Sequence, residues 1–183
     1  MIVKMKLYIL MEGFMLNTLT QYSEKILIKI PFTRFFTGVY YNRIIRKECA
    51  LANITQSDKV LFIGGGAYPY SALYIHQLSK AYIDVIDYDK NKVRDAWRCI
   101  TPHEKPYISL IHADGLTVDV RQYDVIIVAK QITSKPEVIA HLLNTMTDKT
   151  RLVVRCKNAG YPIKAKRVIP IKYAFIKELR LYA

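Results

Sequence analysis

Asp58-Lys-Val-Leu-Phe-Ile-Gly-Gly-Gly-Ala-Tyr-Pro-Tyr-Ser-Ala-Leu73 is the stretch on which the reading of this chain turns. The apolar run Val60-Leu61-Phe62-Ile63 ends in Gly64, Gly65 and Gly66, and a helix-like stretch follows from Ser71 to Leu78. A buried strand, a tight glycine turn and a helix N-terminus in that order bring backbone close to a nucleotide. A second apolar run ends in Asp87, about twenty residues on, where a ribose-binding carboxylate is expected. The spacing is Gly64-x-Gly66-x-x-Pro69, with proline where the dinucleotide fingerprint has its third glycine. That argues against NAD and for S-adenosylmethionine (SAM).

The remaining sequence bounds the setting. At 183 residues the chain is long enough for one domain with a proper core, and its 51% hydrophobic and 23% charged content is that of an ordered globular protein. Cys49, Cys99 and Cys156 form no CxxC pair and leave one thiol over, which points to reduced cysteines in a cytoplasmic protein. The first sixteen residues are apolar but interrupted by Lys4, Lys6 and Glu12, with no cleavage site and no run long enough for an integral membrane segment. The net charge of +13 is dispersed. It fits RNA, an anionic surface or an acidic small substrate equally well.

Along the chain, residues 5–20 and 39–54 carry helical apolar spacing, with Pro31 expected as a break between them. From residue 58 strands and helices alternate: strands at 59–63, 82–87, 107–112, 123–129 and 151–156, helices at 70–80, 89–100 and 134–147. This pattern predicts an α/β fold, a mostly parallel sheet with helices on both faces. The run Val125-Ile126-Ile127-Val128 fits a central strand. Ser134, Pro136 and Glu137 read as a capping box opening the last helix. Two extended segments, Val168–Ile171 and Phe175–Tyr182, surround Pro170, and the sheet is expected to stop at its sixth strand. Residues 1–57 are read as a short N-terminal helical extension and 58–183 as the nucleotide-binding domain.

Candidate cofactor-binding residues follow from position. Gly64, Gly65 and Gly66 permit a ligand to lie against the backbone, and Asp87 is placed for ribose hydroxyls, with Tyr88 beside it. Asp89 is an expected helix N-cap. Asp114 stands in the loop after the third strand, where an acceptor near the adenine amine is expected; an Asp-Gly turn is the alternative. Tyr68 and Tyr70 flank Pro69 and are candidates to stack on adenine. Ala129 ends the fourth strand, and Ala129-Lys130-Gln131 stands where an amino-methyltransferase would carry Asn/Asp-Pro-Pro-Tyr/Phe. His112 reads as a packed histidine. Glu48, on a helix dense in Arg and Lys, is either a catalytic base or a surface salt bridge. No residues have metal-ligand spacing.

These residues resemble the nicotianamine synthase family, a branch of the class I SAM-dependent methyltransferase fold. The family's glycine loop, V-x-F-x-G-S-G-P-L-P-L-S-S, is similar to Val60–Ala72, and its D-x-D to Asp87-Tyr88-Asp89. Its YDVVFLA, K-x-x-V-I-x-H-L and L-V-x-R-S-A-H-G blocks resemble Tyr123–Ala129, Lys135–Leu142 and Leu152–Gly160. The resemblance implies a Rossmann-like fold, SAM as co-substrate, and transfer of the aminocarboxypropyl group to an amine of a small-molecule acceptor, with methylthioadenosine released. It implies a catalytic glutamate in the N-terminal region, for which Glu48 is the candidate. A methyltransferase acting on a small molecule or RNA is the alternative, a non-enzymatic subunit role a third reading, and a homo-oligomer completing the sheet edge a possible partner arrangement.

Overall fold

The computed structural model describes residues 31–156, 167–173 and 176–182. Helix α1 (Pro31–Ala52) leads into β1 (Lys59–Ile63), α2 (Tyr70–Ser79), β2 (Tyr82–Asp87), α3 (Lys90–Trp97), β3 (Ile108–His112) and β4 (Val125–Val128). Then come α4 (Lys135–Thr145), β5 (Arg151–Cys156), β6 (Arg167–Tyr173) and β7 (Ile176–Tyr182). By contacts, Tyr40–Ala183 is one compact unit and Met1–Val39 another. The helix expected over 5–20 lies outside the described residues.

The seven strands run in the order β3-β2-β1-β4-β5-β7-β6, all parallel except β7, which is antiparallel to both its neighbours. Alternation along the strands feeds two cores. Val60 and Phe62 of β1, Ile127 of β4 and Val153 of β5 join Ile44, Ile45 and Leu51 of α1 and Ile75 of α2 on one face. Leu61, Ile63, Ile126, Val128, Leu152 and Val154 join Val138, Ile139 and Leu142 of α4 on the other. Every residue of β4 is fully buried, as a strand covered by helices on both sides must be.

Two expectations are corrected. Pro31 stands at the start of α1, where the N–H it lacks would go unpaired in any helix, and what precedes it lies outside the described residues. Among the described residues the sheet has seven strands, because the two tail segments form β6 and β7, so the missing final strand that supported the subunit reading is present. Pro170 sits in β6, the edge strand, where a missing ladder donor is tolerated, and a bulge follows it. Ser134 does precede α4, but its backbone is left-handed (φ +50) and its side chain makes no capping bond, so the capping box is not formed.

Register brings the strand ends level. Ile63 pairs with Ile86 on one side and with Val128 on the other, Asp87 with His112, and Val128 with Val154. Gly64, Asp87, Ala129 and Arg155 therefore share the carboxyl edge of the sheet. Chain order reverses there between β1 and β4, which is where such sheets hold ligands.

Candidate functional site

The glycine turn is fastened to the neighbouring strand by its own amides. Gly64 and Gly65 donate to the Ile86 carbonyl at 2.9 and 3.2 Å, and Gly66 donates to Asp87 Oδ2 at 2.9 Å. The other carboxylate oxygen, Oδ1, accepts from the Asp89 amide at 3.0 Å. Asp87 is thus buried and held from two sides. Two bonds leave about half of its lone-pair capacity for further donors.

The three glycines serve different ends. A Cβ on Gly64 would stand 2.3 Å from Ile132 Cδ1, and one on Gly65 would stand 2.2 Å from Val85 Cγ1. At those two positions glycine also lets the turn pack against its neighbours. Gly66 alone has nothing within 4 Å of that position, and its φ of +66 is one that L side chains rarely adopt. Open space beside a backbone N–H is what a nucleotide needs.

Around this turn, Pro69 precedes α2 at φ −80, the value its ring fixes. The rings of Tyr68 and Tyr70 lie 6.1 Å apart, and Tyr70 Oη donates to Asn42 Oδ1 of α1 at 2.7 Å. Burial, followed by the neighbouring Tyr74 and Tyr68, pushes the Tyr70 phenol up. Tyr88 is exposed, and its carbonyl accepts from His112 Nε2 at 2.9 Å; His112 is itself exposed, not packed as expected. Asp89 caps α3 as expected, accepting from the Asn91 and Lys92 amides at 2.9 and 3.4 Å. Asp114 is exposed in the loop after β3, where its Oδ1 accepts from the Leu116 amide at 2.9 Å and shapes the turn. The Ala129 amide donates to Ile63 O at 3.0 Å, so Ala129 continues the sheet beside Gly64.

Glu48 is not on the surface: it has no exposed area. Arg155 Nε and Nη2 donate to its two oxygens at 2.5 and 2.7 Å, and Arg155 Nη1 donates to Ser71 Oγ of α2 at 3.1 Å. One guanidinium therefore joins β5 to α1 and α2 beneath the glycine turn. The alternative of a surface salt bridge is corrected: this ion pair is buried in the core. Sequence reasoning passed over Arg155, although a charged residue inside Leu152-Val-Val-Arg-Cys156 was a signal, since arginine is almost never buried unless paired.

A second cation lies nearby. Lys135 Nζ donates to the carbonyls of Ala129, Lys130 and Arg155 at 2.7, 3.2 and 2.6 Å. Among the described residues there is no group of side chains that could hold a metal and no helix long and apolar enough to cross a membrane.

The family model for nicotianamine synthase protein matches residues 19–169. The chain belongs to the nicotianamine synthase family. It is 29% identical over 120 residues to L-histidine 2-aminobutanoyltransferase of Yersinia pestis, a match covering 64% of this chain and 44% of that protein. The chain thus spans less than half the length of that curated relative. A variant of MtNAS in complex with S-adenosylmethionine superimposes with a TM-score of 0.71 at 16% identity, over 86% of this chain and 68% of the other. An RNA methyltransferase from Salinibacter ruber in complex with S-adenosyl-L-homocysteine gives 0.65 at 13% identity, over 76% and 89%. At such identities these likenesses establish the class I methyltransferase fold, and the nicotianamine synthase family membership rests on the matched residues 19–169.

Proposed function

We propose that the protein is a SAM-dependent transferase that moves the aminocarboxypropyl group onto an amine of a small acceptor. The observation that carries this is the Gly66–Asp87 arrangement within a nicotianamine synthase family chain: an amide beside open space, fixed by a buried carboxylate with lone pairs to spare. Asp87 would take the ribose hydroxyls, the Gly64–Gly66 backbone the methionyl side, and the Asp114 loop the adenine. Tyr68, Pro69, Tyr88 and Ala129 would border the same space.

SAM supplies a sulfonium that activates its adjacent carbons. The acceptor nitrogen forms a bond to the methylene carbon of the aminocarboxypropyl chain, and the carbon–sulfur bond breaks. Its electron pair stays on sulfur, methylthioadenosine leaves, and the amine gives up a proton. The protein's part is to orient a neutral amine in line and exclude water. Glu48 enters as the partner of Arg155. To act as the base it would first have to leave that pair, and Glu48→Gln with turnover lowered about 10²–10⁴-fold at unchanged SAM affinity would assign it that role. Three free cysteines support a cytoplasmic setting.

Product analysis after incubation with SAM and candidate amines tests the reading. Methylthioadenosine is expected. S-adenosylhomocysteine would instead support methyl transfer, the second reading, for which the net charge of +13 adds RNA as a substrate. RNA affinity that is micromolar and survives physiological salt would favour it, because non-specific phosphate contacts weaken steeply with salt.

A further inference from the structure

Lys135 breaks two local rules. It is the first residue of α4, where the positive end of the helix dipole disfavours a cation, and its side chain is half-buried. Ser134, immediately before it, has a left-handed backbone. The Lys135 ammonium meets three main-chain carbonyls, those of Ala129, Lys130 and Arg155. An ammonium has three donors and no acceptor, so three carbonyls saturate it. Local rules broken together in this way tend to mark functional positions.

We propose that Lys135 is a positioning residue of the substrate site: its ammonium sets the path of the Ala129–Lys130 segment that borders the site and ties that segment to Arg155. The proposal rests on the SAM-site reading above. Arg155 is the junction, because its carbonyl is held by Lys135 while its guanidinium holds Glu48 and Ser71. The β4 end, α1 and α2 are thereby referred to one residue of β5.

The arrangement depends on the proton. A neutral amine has two donors and a lone pair, so losing the proton leaves one carbonyl without its bond and turns a lone pair toward it. Burial, the largest influence, lowers the Lys135 pKa to about 8, and the cations of Arg155 and Lys130 act in the same direction. Cys156 of β5 acts the other way only as a thiolate, and burial pushes that thiol up. From β7, Glu178 and Arg180 flank Cys156 as a buried pair of opposite charge. Ligand affinity that needs the ammonium is present below that pKa and lost as pH rises through it.

Calorimetric titration with methylthioadenosine tests this, because that probe lacks the α-amino group of SAM, which itself titrates near about pH 8. Wild-type affinity should fall at least about fivefold between about pH 7 and pH 9, on either side of the Lys135 transition. Lys135→Met should bind about tenfold more weakly than wild type at about pH 7 and show no pH dependence, the loss expected when buried acceptors go unpaired. Lys135→Arg, charged throughout, should also be flat. A flat wild-type profile, or a folded Met variant that binds like wild type, would overturn the proposal. If the wild type binds neither methylthioadenosine nor SAM at any pH, the SAM-site reading fails. Amide exchange over residues 129–134 then decides the role of Lys135 separately: faster exchange in Lys135→Met upholds it, and unchanged exchange refutes it.

Discussion

The β1–β2 end of the carboxyl edge is made of backbone and one short carboxylate: three glycine amides, the Ile86 carbonyl and Asp87. The β4–β5 end is made of long charged side chains, Lys135 and Arg155, that span from β5 and α4 to α1 and α2. The first is local in sequence, since Gly66 and Asp87 are 21 residues apart, whereas Glu48 and Arg155 are 107 apart. Backbone groups cannot wander, so the geometry of the first end is fixed by the chain itself. The second end draws its rigidity from ion pairing that exists only after distant elements meet.

That contrast makes the β4–β5 end the more fragile. Glu48→Ala should cost about 3–5 kcal/mol in urea denaturation, because it strands the Arg155 guanidinium in the core. Replacing both partners with apolar residues, Glu48→Leu with Arg155→Met, should recover most of that loss, since neither charge then remains buried alone. A single variant as stable as wild type would remove the distinction between the two ends.

At the glycine end the effects are smaller and separable. Gly65→Ala drives a methyl into Val85 and should cost about 1–3 kcal/mol, and Val85→Ala in the same chain should relieve it. Gly66→Ala meets no atom, so only its left-handed backbone resists, at about 1–2 kcal/mol. If the two glycines respond alike to Val85→Ala, the division into packing and ligand-facing positions is wrong.

Asp87→Ala should weaken SAM by about 1–3 kcal/mol in calorimetry, the scale of a lost partner for buried donors. Equal affinity would take Asp87 out of the site. Asp89→Ala removes only the α3 cap and should cost about 1 kcal/mol of stability with SAM affinity unchanged. An affinity loss there as large as for Asp87 would extend the site beyond the first carboxylate.

The sequence by itself determined what rests on near neighbours. Strand–glycine–helix order, the acid about twenty residues later, the Asp89 cap and the fully apolar β4 were all legible, because each follows from periodicity, turn chemistry or a short loop. Nicotianamine synthase family membership was legible for the same reason, since its motifs are contiguous. Tertiary structure decided the rest. Whether Ser134 or Lys135 organises the start of α4 depends on three carbonyls from two other segments. Gly65 is required by a valine on the next strand, and Glu48 is a core ion pair and not a surface one because Arg155 comes to it from β5. The meaning of a charged residue in a folded chain is set by what desolvates and pairs it, and those partners lie far away along the sequence.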